Sequence, residues 1–347
     1  MNILITGGTG FIGRNIVNKL LADGKKPIIL TRDRRKVDKL FQEKIKVLEV
    51  DICNTASLER LGLRLQGIDA LIHLAASLDY FGDKKKLFQV NVKGTVNLIN
   101  LADRAGIRKF IYISSIEAMG TLKKEEVPAD ETFFCRPVSS YGESKLEAER
   151  QIRRLTEKKD VESVILRLGN VYGPGTVSFI VPIANAILNN DKLLKFLPIY
   201  KDRYIHPVYI DDAVSGILKV VEQNSSGEIY ILADEEYVSI GRLFELIAEI
   251  LNVDSLQAKK RSIKDILYLS IRKKIYQLCK RADLLAYFVA GERKRIHRAY
   301  SIEKAKRDLG YYPEVNLKEG IAKSLEWAKE KGLFRYKYES LTYKFAR

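Results

Sequence analysis

Tyr141 and Lys145 stand four residues apart in SSYGESK, where a helical pattern begins, so their side chains share one face of a helix. A phenol ionises near pH ~10, too high for a base at neutral pH, and a neighbouring ammonium lowers that value by favouring the phenolate. The pair predicts a tyrosine that exchanges a proton with a reacting oxygen and a lysine that tunes it. Upstream, ISSIEAMG places Ser115 just after the apolar run 109–114, where a hydroxyl can polarise the same oxygen. Tyr and Lys at this spacing are commonplace on solvated helix faces, so their meaning depends on what precedes them.

What precedes them is MNILITGGTGFIG. A strand-type run from Asn2 to Thr6 meets Gly7, Gly8, Gly10 and Gly13, and Phe11 and Ile12 open a helical pattern through Ile16, Val17, Leu20 and Leu21. Strand, glycine turn and helix in the first βα unit predict a dinucleotide site. The glycines let the backbone approach a pyrophosphate, and the first helix amides face the anion. A tight turn in some other doubly wound protein is the plainer alternative.

The second apolar run ends at Thr31 and Arg32, with Asp33 just beyond. A carboxylate there holds a ribose 2′-hydroxyl, whereas a guanidinium suits a 2′-phosphate. Arg32 points to NADP, and NAD is the alternative if Asp33 turns inward. Arg34, Arg35 and Lys36 read as loop, the last two solvated.

These motifs need elements to hold them. Apolar runs at 2–6, 28–31, 46–50, 69–74, 109–114 and 163–168 alternate with helical patterns near 12–22, 57–65, 85–105 and 140–158. The alternation predicts an α/β fold, a Rossmann-type doubly wound parallel sheet with ligands outside the carboxyl ends of its strands. After Tyr172-Gly173-Pro174-Gly175 it breaks into a helix (178–189), a strand-like piece (205–209), a helix (211–222) and a strand (229–232). From Ile240 the pattern is mostly helical. The expected division is a cofactor domain of 1–172 plus 207–233, a smaller, mostly helical, discontinuous substrate lobe of 173–206 plus 234–332, and a tail of 333–347.

The 347 residues are 46% hydrophobic and 30% charged, ordinary for a globular protein. No apolar run is long enough to span a bilayer and no leader pattern precedes the first strand, so a cytoplasmic location is expected. Cys53, Cys135 and Cys279 are too few and too scattered for a disulfide framework, and with only three histidines no metal site is expected. The net charge of +16 is concentrated, since 259–298 holds 13 Lys and Arg against 3 acidic residues. Ile263, Ile266, Leu267, Ile271, Ile275 and Leu278 recur there at helical spacing. Three readings are open: a basic amphipathic element on an anionic membrane presenting a lipidic ketone, an anion-steering rim, or a face covering the substrate lobe with its lysines solvated. No recognition motif accompanies the charge, so nucleic acid is not an expected partner.

TGGTGFIG, DALIHLAA, NVKGTVNLI, YISSIEAMG, YGESK and LRLGNVYGPG together resemble the extended short-chain dehydrogenase/reductase superfamily, in its NAD(P)-dependent epimerase/dehydratase family, from Met1 to about Gly332. The resemblance implies that Gly7, Gly10 and Gly13, with Phe11 and Ile12, hold the pyrophosphate. It places Asp51 and Ile52 at the adenine and Leu74, Ala75 and Ala76 along the cofactor. Asn91, Tyr141 and Lys145 become further cofactor contacts, with Ser115, Tyr141 and Lys145 as the catalytic triad. Asn170 and Arg203 match positions that bind a diphosphate in sugar-nucleotide members, although a structural surface arginine is an equal alternative for Arg203. A homodimer through the helices near 85–105 and 140–158 is also implied.

Two departures narrow the expectation. Dehydratase members carry an Asp-Glu pair after the catalytic hydroxyl residue, where this chain has Ile116-Glu117. Epimerases carry a carboxylate at the position of Thr31, and Thr31-Arg32-Asp33 is closer to NADP-using reductases such as dihydroflavonol reductases and bacterial relatives of 3β-hydroxysteroid dehydrogenase. The expected activity is reversible reduction of a ketone to a secondary alcohol with NADPH. A nucleotide-sugar epimerase with tightly bound NAD comes second. A cofactor-binding sensor or assembly factor without turnover comes third, opposed by the intact Ser115, Tyr141 and Lys145.

Overall fold

The computed structural model describes residues 1–41, 45–62, 65–78, 83–191, 194, 201–223, 226–253 and 297–334. The runs 254–296 and 335–347 lie outside the described residues, so the expectations for most of the basic stretch and for the tail fall there.

Seven strands form one parallel sheet in the order β3-β2-β1-β4-β5-β6-β10: β1 (Ile3–Thr6), β2 (Ile28–Thr31), β3 (Lys46–Glu49), β4 (Ala70–His73), β5 (Lys109–Ser115), β6 (Glu162–Leu168) and β10 (Ile229–Leu232). Order reverses between β1 and β4, both of which leave from the first glycine turn's side of the sheet, and this switch point opens a crevice at the carboxyl ends. β1 and β4 are buried at every residue, as strands covered by helices on both faces must be.

One layer holds α1 (Phe11–Ala22), which turns Ile16, Val17 and Leu20 onto the sheet, and α8 (Ile210–Glu222) packed beside it. The other holds α3 (Thr55–Gly62), α5 (Gly94–Arg104) and α6 (Ser140–Thr156). The 85–105 pattern is α4 (Lys84–Phe88), a π-helical turn (Gln89–Lys93) and α5 in succession.

Beyond β6 the chain forms β7 (Asn170–Tyr172), α7 (Ile180–Leu188), β8 (Tyr204–Ile205) and β9 (Pro207–Tyr209). β7 pairs with β9 and β8 with β11 (Val238–Ser239), so the expected strand at 205–209 is two pieces serving different ladders. They part at His206, whose buried ring accepts from the Tyr300 amide and bonds the Asp234 carbonyl. Described helices then follow: α9 (Ile240–Ile250), α10 (Glu303–Leu309) and α11 (Leu317–Glu330).

One expectation is corrected. Arg34, Arg35 and Lys36 are not loop but the first turn of α2 (Arg34–Phe41). Asp33 accepts from the Arg35 amide at 3.1 Å and pairs with its guanidinium at 3.0 Å, so its carboxylate caps this helix. Among the described residues no helix is long and apolar enough to cross a membrane.

Candidate active site

The glycine turn joins β1 to α1 at the switch point. Gly7 has φ +72°, and a Cβ there would lie 2.7 Å from the Ala75 nitrogen. A Cβ on Gly13 would collide with the Gly7 carbonyl and lie 2.8 Å from the Gly8 Cα, so only glycine lets α1 begin this close to β1. Gly10 is the N-cap and supplies no side chain to the free amides, and no acidic residue stands in the first turn. Uncapped amides at the positive end of a helix fit a dinucleotide pyrophosphate. Phe11 and Ile12 flank them, half-buried.

Across the crevice, Leu74, Ala75 and Ala76 continue β4, and the Leu74 amide bonds the Thr6 carbonyl at 3.2 Å. A buried relay that sequence reading missed fixes this edge. The Thr95 hydroxyl donates to the Asn91 carbonyl (2.7 Å), so it must accept from His73 Nε2 (2.9 Å). His73 Nδ1 then accepts from Thr6 Oγ1 (2.7 Å), which accepts from the Ala75 amide (3.2 Å). The acceptor role of Nδ1 requires neutral His73, and burial with the Lys145 charge holds its pKa down to about 3. The signal was a histidine between two threonines on facing elements, legible only once strand order is known.

Asn91 sits in the π-helical turn with its amide spent inside the protein. It accepts from the Ser77 amide at 2.7 Å and donates to the Ser77 carbonyl and Ser144 Oγ. It braces the β4 exit against α6. Asp51, after β3, caps the Cys53 amide at 2.8 Å, and the buried Ile52 packs under Gly94. Arg32 is exposed at the end of β2 and makes no ion pair among the described residues, while Asp33 is committed to α2.

Ser115 closes β5 and caps a short 3₁₀ turn, Ile116–Ala118, by accepting from the Glu117 amide at 3.2 Å. With that lone pair used, its O–H remains to donate to a substrate oxygen. The start of α6 lies against this turn, because a Cβ on Gly142 would collide with the Glu117 carbonyl. Ser139 caps α6, and the helix, with Tyr141 and Lys145 buried in its first turns, packs on the 3₁₀ turn that follows Ser115. Lys145 Nζ donates to the Ile113 carbonyl at 2.7 Å and lies 4.6 Å from the Tyr112 ring centroid and 5.9 Å from that of Tyr141.

The electrostatics correct one expectation. The Tyr141 phenol is pushed above its ordinary value, first by burial and then by the Glu117 carboxylate. Burial also pushes Lys145 down to about 7, which weakens the ammonium expected to stabilise a phenolate.

Glu117 was singled out as a weak elimination residue. It is buried, paired with Arg298 at 3.2 Å and accepts from Ser139 Oγ. Arg298, which sequence reading missed, joins Arg203 at one end of the site: the Arg298 amide bonds the Tyr204 carbonyl, and the Tyr204 amide bonds His297 Nδ1. Burial, and then the charges of Lys124 and Arg203, lower the pKa of His297. Asn170 opens β7, and its side-chain oxygen is buried without a hydrogen-bond donor among the described residues.

A family model for the NAD dependent epimerase/dehydratase family matches residues 3–233. The chain belongs to that family. Similar proteins include a dTDP-D-glucose 4,6-dehydratase of Mus musculus, 26% identical over 94% of this chain and 88% of its own length. A 3-beta-hydroxysteroid dehydrogenase of Mycolicibacterium neoaurum is 25% identical over 94% of this chain and 90% of its own. Among solved structures, the UDP-glucose 4-epimerase of Thermotoga maritima with UDP-glucose superposes with a TM-score of 0.74 at 24% identity, covering 95% and 99% of the two chains. This family member therefore has an NAD-binding Rossmann fold and relatives that are enzymes of the extended short-chain dehydrogenase/reductase type.

Proposed function

We propose that this family member catalyses reversible hydride transfer between NADP and a ketone or secondary alcohol. What supports this reading is Lys145 of α6, 5.9 Å from the Tyr141 ring and bonded to the Ile113 carbonyl of β5, the strand that ends in Ser115. When bound, the nicotinamide accepts or supplies the hydride. Ser115 Oγ donates to the reacting oxygen and orients it. Tyr141 Oη delivers the proton in reduction and removes it in oxidation. Burial and the Glu117 carboxylate raise its pKa, so the phenol carries its proton at neutral pH. Lys145 Nζ, anchored on the Ile113 carbonyl, has two further N–H donors for the nicotinamide ribose.

The preference for NADP rests on Arg32, exposed at the strand end while Asp33 is held by α2. The uncapped amides at Phe11 and Ile12 take the pyrophosphate, Asp51 and Ile52 line the adenine side, and Leu74–Ala76 run along the cofactor. We assign 1–172 with 207–233 to cofactor binding and 173–206 with 234–332 to a substrate lobe. The test is loss of reduced-nicotinamide absorbance with NADPH and a panel of ketones. Turnover by the native protein that Tyr141→Phe lacks supports the reading, and no turnover of any ketone contradicts it.

A second reading is favoured by Arg203 and Arg298 near one another at the site's edge, guanidinium groups suited to a nucleotide-sugar diphosphate. Some relatives carry such substrates in their names. Interconversion of UDP-glucose and its C4 epimer, with no net change in cofactor, would support it over the first.

A further inference from the structure

Arg14 is the fourth residue of α1, and nothing in the reading above uses it. Long side chains on a helix lean towards its N-terminus, so this guanidinium folds back over the first turn. It lies 5.6 Å from the Phe11 ring centroid and donates to the Gly175 carbonyl. Gly175 has φ +100°, and a Cβ there would strike the guanidinium and come within 3.6 Å of the Phe11 ring. A neighbouring glycine seats the other side of the same loop: Gly173 has φ +143°, and a Cβ would lie 2.5 Å from Ile210 Cγ2 at the start of α8. The loop Gly173–Gly175 is thus pinned between α8 and Arg14 where the chain leaves β7 for α7.

We propose that Arg14 is a bridging residue, holding the Gly175 carbonyl with one N–H and the cofactor's diphosphate with others, so that cofactor binding locks the loop at the entrance to the substrate lobe. The geometry supplies both ends. A guanidinium carries five donors, and the Gly175 carbonyl is the hydrogen-bond acceptor Arg14 has among the described residues. The uncapped amides at Phe11 and Ile12 lie in the same turn, where an anion is already favoured. Half-burial disfavours the charged guanidinium, lowering its pKa, so an arriving diphosphate recovers part of that cost. The proposal rests on the dinucleotide reading of the glycine turn.

The test is fluorescence titration of the whole chain with NADPH and NADH, together with amide hydrogen exchange across residues 173–179 with and without nucleotide. In the native protein the nucleotide should slow exchange in this loop. Arg14→Met should raise Kd roughly tenfold and abolish the slowing at saturating nucleotide, with Arg14→Lys intermediate because it keeps the charge but not the fork. Gly175→Ala attacks the contact from the other side and should abolish the slowing while the helical circular dichroism is retained. Unchanged Kd in Arg14→Met, or loop protection that survives in Arg14→Met or Gly175→Ala, overturns the bridge and leaves the dinucleotide reading standing. Binding of neither nucleotide to the native protein overturns both.

Discussion

At the scale of single residues, the site is built from groups whose burial is expensive. Lys145 is forced down to about 7 from its ordinary 10.5 because its Nζ lies inside the protein with one carbonyl acceptor. Between those two values the unfolded chain binds a proton that the folded chain does not, so stability rises with pH across that window. Below about 7 both states are charged and the cost of burial is present in full. Lys145→Met should remove this rise, seen as a flatter profile of melting temperature between neutral and alkaline pH; an unchanged profile would mean that Lys145 keeps its ordinary ionisation. Tyr141→Phe removes only the transferable proton. It should lower kcat by roughly 10²–10⁴-fold and leave nucleotide Kd within about twofold, measured by stopped turnover and by titration. A comparable loss of nucleotide affinity would instead make Tyr141 chiefly a cofactor contact.

At the scale of elements, the crevice depends on how closely α1 and α6 approach the sheet. Gly13→Ala places a methyl group against the Gly7 carbonyl, so α1 must retreat. We expect a cost of about 1–3 kcal/mol in denaturant unfolding and loss of measurable nucleotide binding. On the opposite layer, Glu149 of α6 is fully buried and forked to Arg167 of β6 at 2.7 and 3.2 Å, with Ser114 of β5 donating to the same carboxylate. Glu149→Gln leaves the Arg167 charge uncompensated and should destabilise the chain by about 3–5 kcal/mol. A loss below ~1 kcal/mol would mean that packing alone fixes α6.

Much of this was legible in the residues themselves. β1, the glycine turn and α1 show in the sequence because buried parallel strands are apolar throughout and the helix repeats its apolar face. α2 did not, because Val37 and Phe41 are its only buried side chains and basic residues surround them. The Glu117–Arg298 pair and the Thr6–His73–Thr95 relay join residues far apart in the chain, and no local spacing announces them. For Tyr141, spacing reveals the lysine neighbour and hides both desolvation and Glu117, which raise the phenol's pKa.

At the scale of the whole molecule, the sheet's switch point, the uncapped helix and the proton-handling pair converge on one crevice, while the family's members divide among dehydratases, epimerases and dehydrogenases. The choice of reaction proposed above rests on two places. Ile116-Glu117 replaces the acid pair of the dehydratases, and its carboxylate is occupied by Arg298 and Ser139. Arg32 is exposed at the end of β2, and Asp33 caps α2. On the reading proposed above, both features would fit a reductase that exchanges NADP better than an epimerase that retains NAD. The most direct measurement is to denature the purified protein, identify any released nucleotide by mass spectrometry, and titrate the stripped protein with NADPH and NADH. The account predicts a readily emptied site that binds NADPH at least about tenfold more tightly than NADH, a difference of ~1.4 kcal/mol. Stoichiometric NAD that survives dialysis, or equal affinity for the two reduced nucleotides, would contradict it.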